Sequence, residues 1–198
     1  MIILGIDPGT RITGYGVIRY TNNSFIKITS GSINLPSDKP IPHRLEIIYN
    51  ELNKIIKRHK PDELAIETAF YGKNVQSAMK IGYARGVSIL CALHNNIPTS
   101  EYSPREVKKS VVGKGSASKD QVLYMIKTLL NIKSEKIKVD ESDALAIALC
   151  HAFRKNIPIK KTKDWKSFIE AHPERVINNW KIRRIRKIKK LIFKLVED

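Results

Sequence analysis

The stretch Ile2-Ile3-Leu4-Gly5-Ile6-Asp7-Pro8-Gly9-Thr10 restricts what this chain can fold into more than any other. Its apolar residues make a short, nearly continuous run closed by Pro-Gly, the pattern of a strand covered on both faces. That places a central strand in a layered α/β domain, with a carboxylate, Asp7, at its end. Burying a carboxylate is costly unless hydrogen bonds, a cation or water meet it. Asp before Pro-Gly also starts turns well, so Asp7 alone has two readings, a turn residue or a metal ligand on a rigid platform. Only other acids converging on the same place decide between them.

The following residues supply the rest of such a domain. Residues 13–20 and 25–33 read as two more strands, joined by the turn-forming Thr21-Asn22-Asn23-Ser24 into an antiparallel meander. In residues 42–59, Leu45, Ile48, Leu52, Ile55 and Ile56 recur at helical spacing until Pro61 stops the run. Glu63-Leu64-Ala65-Ile66-Glu67 is another short apolar strand, again closing on a carboxylate. A long helix is predicted over residues 74–95, with Ala78, Gly82 and Gly86 four apart. Each glycine costs a helix about 1 kcal/mol relative to alanine, which is tolerable if the bare face admits a close neighbour, either a second copy of the chain or its own sheet.

Residues 97–102 form a further strand candidate, and Ser103-Pro104 suits the N-cap and first turn of a short helix. Gly113-Lys114-Gly115-Ser116 is a basic loop without the glycine spacing of a P-loop. Ser118-Lys119-Asp120-Gln121 has the form of a capping box, and residues 140–153 make a last, strongly apolar helix.

Thirty-six Lys and Arg against nineteen Asp and Glu in 198 residues give a net charge of +17. That favours a polyanionic partner, nucleic acid before an anionic membrane. No apolar stretch approaches the roughly 20 residues of a membrane span, and Asp7 interrupts the first run too early for a signal peptide, so a cytoplasmic protein is expected. Cys91 and Cys150 lie in helical apolar patterns and read as reduced core residues. Beyond Ile157-Pro158 the composition shifts: residues 160–198 hold thirteen Lys and Arg and five Asp and Glu. There Ile182, Ile185, Ile188, Ile192 and Leu195 recur at helical spacing, a basic amphipathic extension that could lie on DNA, on a membrane or against its own domain.

Asp7 and Glu67 each end a predicted strand, while Asp140 and Asp143 stand three apart at a helix start, on one face. The last pair could simply cap its helix, Asp140 as N-cap and Asp143 in the first turn. Taken together, the four are what a carboxylate cluster at a sheet edge requires. Clustered carboxylates raise one another's pKa, and a hard divalent cation such as Mg²⁺ removes that conflict. Two such ions would stabilise both the attacking and leaving oxygens of a phosphodiester. An acidic site in a basic protein fits a metal-dependent nuclease.

Four runs appear in order: Gly5-Ile6-Asp7-Pro8-Gly9-Thr10-Arg11 with Thr13-Gly14-Tyr15-Gly16; Ala65-Ile66-Glu67 with Phe70; Val112-Gly113-Lys114-Gly115-Ser116-Ala117; and Asp140-Glu141-Ser142-Asp143-Ala144-Leu145-Ala146. Together they closely resemble the RuvC family of Holliday junction resolvases. The resemblance implies a ribonuclease H-like α/β fold, a five-stranded mixed sheet flanked by helices, over residues 1–156, with the basic extension at 157–198. It also implies a homodimer that cuts four-way DNA junctions by paired symmetric nicks. Its cofactor would be Mg²⁺ or Mn²⁺, two ions per site, and its partner a RuvAB-type branch-migration complex.

The resemblance makes Asp7, Glu67, Asp140 and Asp143 the metal-binding catalytic acids. Phe70 falls on the aromatic that works near the junction centre, and Lys108 and Lys119 on basic residues that meet phosphates near the cut. The Ala78, Gly82 and Gly86 helix falls where the family dimerises. The family's usual sequence ends soon after the Asp143 helix, which leaves the basic extension as the departure. His151, well inside the last helix, reads as structural.

Two rival readings belong to other classes. Asp-x-Gly-Thr after a strand also resembles the phosphate loop of actin-like and sugar-kinase-like phosphotransferases, but the second acidic phosphate loop and the Gly-rich adenosine site of those proteins are not found here. A junction-binding scaffold whose acids only cap turns and helices would bind DNA in a salt-sensitive way without metal-dependent nicking.

Overall fold

A computed structural model of the chain describes residues 1–21, 24–68, 75–133 and 136–156. The amino-terminal run is β1 (Ile2–Asp7). β2 (Ile12–Thr21) and β3 (Ser24–Asn34) continue it as an antiparallel meander. Then come α1 (Ile41–His59), β4 (Glu63–Glu67), α2 (Val75–His94), β5 (Thr99–Tyr102), α3 (Pro104–Val112), α4 (Lys119–Leu129) and α5 (Val139–Asn156). The sheet order is β3-β2-β1-β4-β5, with β4 parallel to β1 and β5 parallel to β4. The first strand is central, as its apolar run predicts, and the sheet is mixed and five-stranded, as the family resemblance implies. The expected helical character of residues 157–198 lies outside the described residues.

Strand alternation sorts the core into two layers. Leu4, Ile6, Val17, Leu64 and Ile66 point to one face and pack with Ile48, Leu52 and Ile56 of α1 and Ala84, Cys91 and Ala92 of α2. Ile3, Ile18, Ala65 and Tyr102 point to the other and pack with α3, α4 and α5. Each fully buried Leu or Ile contributes about 2 kcal/mol of hydrophobic stabilisation. Cys91 and Cys150 are buried and free, as expected of reduced core thiols.

Helix α5 is buried through its middle: every residue from Ala144 to Cys150 is at most 1% exposed. It has this position because the sheet beneath it lacks side chains. Gly5 pairs with Gly16, and Asp7 with Gly14, across β1 and β2, so these three glycines share the α5 face. A Cβ on Gly5 would stand 2.1 Å from the Ala144 carbonyl oxygen, and one on Gly14 would stand 2.1 Å from that of Asp140. A Cβ on Gly16 would press into the Leu145 side chain at 2.8 Å.

The flanking helices use the predicted caps. Ser103 and Glu106 form a capping box at α3, and Ser118 and Gln121 form one at α4. α3 stops at Gly113 in the left-handed region, where glycine carries no Cβ penalty.

The bare face of α2 does not pack on its own sheet. Among the described residues a Cβ at Gly82 or Gly86 would meet nothing within 4 Å, and Val75, Met79, Tyr83, Leu90 and Leu93 on that helix are 47–62% exposed. Ala78 is the exception, being buried. Among the described residues no helix is long and apolar enough to cross a membrane.

Gly14→Ala forces α5 away from the sheet at its first turn. We expect it to lower the unfolding free energy by about 3 kcal/mol, the upper end for overpacking a core, read by urea denaturation. A loss below about 1 kcal/mol would mean the helix is not seated on that glycine.

Candidate active site

Asp7 and Glu67 are the last residues of β1 and β4. These strands are parallel, with Ile6 opposite Ile66 and Gly5 opposite Ala65. Both carboxylates therefore leave the sheet at the same end, and strand alternation directs both to the α5 face. Asp7 lies opposite Gly14, on which the Asp140 backbone rests. This single contact brings the start of α5 beside the end of β1. One helical turn on, Asp143 lines a cavity of about 200 Å³ together with Glu67, Lys108, Lys119, Val107 and Val122.

The turn after Asp7 has its own closure. The Thr13 hydroxyl, fully buried, donates to the Gly9 carbonyl at 2.8 Å, and the Arg44 guanidinium donates to the Thr10 carbonyl at 3.2 Å. Among the described residues nothing donates to the Asp7 carboxylate, so the turn-starter reading does not account for it.

The capping alternative for the last pair fails as well. α5 begins at Val139, and the Ser142 amide donates to the Lys138 carbonyl at 3.0 Å. This puts the cap at Lys138, so Asp140 and Asp143 lie inside the helix.

The proximity of the acids is visible in their protonation. Burial pushes the Asp7 carboxyl up to about 6; Asp143 and then Asp140 add to the rise, and Lys119 opposes it. Burial pushes Glu67 up to about 7, with Asp7 and Asp143 adding and Lys119 and Lys108 opposing. Lys119 answers directly: its Nζ lies 3.0 Å from Asp143 Oδ2, a hydrogen bond that raises the lysine's own pKa. The acids thus share one electrostatic site. They do not form a ready-made coordination shell, since among the described residues no three His, Cys, Asp or Glu side chains converge tightly enough to hold a metal. The donor chemistry nevertheless fits a hard divalent cation. All four candidates offer oxygen, and a bound cation would favour the ionised form of the two raised carboxyls, Asp7 and Glu67.

Lys108 lines the same cavity as Glu67 and Asp143. Phe70 lies outside the described residues. His151 is 1% exposed and held at both ring nitrogens, by the Tyr102 hydroxyl at 2.7 Å and by Glu63 at 2.7 Å, which bears out its structural reading. What the sequence reading left unassigned is the role of Gly5, Gly14 and Gly16. Their signal was present, because glycines two apart on β2 opposite a glycine on β1 leave one face bare.

The chain is similar to known proteins over most of its length. The family model "Crossover junction endodeoxyribonuclease RuvC" matches residues 3–151. The RuvC protein of Chloroherpeton thalassium is 45% identical over 185 residues, covering 89% of this chain and 100% of its own length. That of Citrifermentans bemidjiense is 49% identical over 152 residues, 77% of this chain and 92% of its own. Thermus thermophilus RuvC has a similar structure, with TM-score 0.74 and 29% identity over 79% of this chain and 96% of that one. The same protein in complex with a Holliday junction substrate gives a TM-score of 0.75 at 29% identity, with the same 79% and 96% coverage. A match covering 89% of this chain is longer than residues 1–156 provide. At least part of the basic extension is therefore shared with the Chloroherpeton relative.

The raised carboxyls set a pH dependence. Both groups bind protons more tightly folded than unfolded, so the stability they contribute is full at acid pH, below the ordinary carboxylate range. It is lost as pH rises through about 6 for Asp7 and about 7 for Glu67. With a chelator present, the melting temperature is expected to fall between pH 5 and 8, and Asp7→Asn to raise it at pH 8 and flatten the fall. A variant that melts no higher than the parent at pH 8 would show that the Asp7 charge is not a burden on the fold.

Proposed function

Because this chain belongs to the RuvC family of crossover junction endodeoxyribonucleases, we propose that Asp7, Glu67, Asp140 and Asp143 are the catalytic acids with which it cuts four-way DNA junctions. It is an endonuclease of recombination and repair. The observation that carries the assignment of residues is that Asp7 and Glu67 leave one end of one sheet face, where burial raises both carboxyls, Asp143 adds to both, Asp140 adds to Asp7 and Asp7 adds to Glu67.

The four carboxylates would hold Mg²⁺ or Mn²⁺, two ions per site. When bound, these ions would stabilise the attacking and leaving oxygens of the phosphodiester. The chain's own residues do the rest. The sheet ends and the glycine-seated helix hold the acids in place, so little reorganisation accompanies the reaction. Lys108 and Lys119 present compact positive charges to the phosphate beside the cut. Water attacks the phosphorus in line, and the products are a 5′-phosphate and a 3′-hydroxyl. Phe70 stacks on an unpaired base near the junction centre.

The protein acts as a homodimer through α2. The open Gly82 and Gly86 and the exposed Met79, Tyr83 and Leu90 form a stripe that a second copy covers. Two-fold symmetry then directs two sites to opposing strands. Residues 1–156 are the nuclease domain and 157–198 a basic extension. The enzyme works in the cytoplasm, with a RuvAB-type complex moving the branch point.

Asp7→Asn is expected to reduce cleavage of a synthetic four-way junction by about 10³-fold while junction binding in a gel-shift assay is kept. Undiminished Mg²⁺-dependent cutting by this variant would end the assignment. For the dimer, Tyr83→Glu with Leu90→Glu should give a folded monomer by light scattering and circular dichroism. An unchanged dimer mass would remove α2 from the interface.

A further inference from the structure

We propose that Lys119 is the internal counter-ion of Asp143, which a divalent cation must displace, and that this exchange frees the lysine ammonium to meet the substrate phosphate. The proposal rests on the reading of the four acids as the cation-holding set.

The geometry that carries it is a contrast between two lysines of one cavity. Lys108 and Lys119 both line the space with Glu67 and Asp143. Lys119 makes a hydrogen-bonded ion pair at 3.0 Å to Asp143 Oδ2, whereas among the described residues Lys108 makes no ion pair. An oxygen that accepts from an ammonium cannot also take a divalent cation on that side without bringing two positive charges together. A cation that takes Oδ2 therefore displaces the ammonium.

Lys119 is built to be the one that leaves. Its backbone is fixed at the first position of α4 by the Ser118 and Gln121 capping box, but its side chain is 68% exposed against 26% for Asp143. The anchored stem keeps the ammonium near the site, and the exposed head turns away at little cost, because an ion pair this open to water is weak. Asp143, on the buried α5, has no comparable freedom. Before the cation arrives, the lysine spends its charge on the cluster. Afterwards that charge is available to a phosphate oxygen, so cation loading and grip on the scissile phosphate become linked steps.

The test is Mn²⁺ binding to the DNA-free, full-length protein, followed by electron paramagnetic resonance of the free ion. The parent is compared with Lys119→Gln, Lys108→Gln and Asp143→Asn. Lys119→Gln should bind Mn²⁺ about fivefold more tightly, the upper range for releasing an exposed ion pair. Lys108→Gln should change affinity by less than about twofold, since it releases no pair. Equal tightening by both lysine variants would mean general relief of positive charge and would overturn the exchange, as would no tightening by Lys119→Gln. Asp143→Asn should weaken binding. If it binds as the parent does, the acids themselves are misassigned and the exchange falls with them. Weakened binding in Asp143→Asn with no gain in Lys119→Gln refutes the exchange alone.

Discussion

The contact between the first turns of α5 and the glycines of β1 and β2 is what the rest of this structure depends on. Gly5, Gly14 and Gly16 remove the side chains that would hold a helix about one side-chain layer above a sheet, and the helix backbone comes down onto the strands. The small Ala144 and Ala148 on the facing side of α5 complete the fit. Asp140 and Asp143 arrive beside Asp7 and Glu67 only because that layer is missing. In a sheet with valine at these places, the helix would stand off and the acids would be too far apart to perturb one another.

The far end of α5 is held by different chemistry. His151 bridges Tyr102 and Glu63 inside the core, Lys155 pairs with Glu63 at 2.8 Å, and Arg154 lies over the Tyr102 ring while pairing with Glu106. Burial lowers the His151 pKa, against the opposing effect of Glu63, so the neutral ring serves as a two-sided hydrogen-bonding strut. Helix α5 is thus pinned to β4, β5 and α3 at its carboxyl end and to β1 and β2 at its amino end. A helix fixed at both ends keeps its acids at a constant height above the sheet, which a site depending on close carboxylates requires.

Those acids are a burden on the folded chain. Burial first, and neighbouring carboxylates after it, raise the Asp7 carboxyl to about 6 and the Glu67 carboxyl to about 7. Lys119 offsets part of this, and the fold supplies the remainder through the hydrophobic layers on either side of the sheet. Stability given up at a working site and recovered in the core is a common division of labour in enzymes.

Much of this could be read along the chain. The central strand, the meander, the capping boxes at Ser103 and Ser118, and the candidate acids all follow from local rules, because periodicity, cap chemistry and turn residues act over a few neighbours. The resemblance of four separated runs to one family added the expectation of the shared site. Local rules could not decide whether Asp140 and Asp143 capped their helix, because a helix start moves by a residue or two under tertiary packing; here the first turn settled at Val139. Nor could they say which way Gly82 and Gly86 faced, or that Lys119 rather than Lys108 would pair with Asp143. Those outcomes depend on which surfaces meet when strands far apart in the chain come into register, and that is determined by the packing of the whole domain rather than by any one segment.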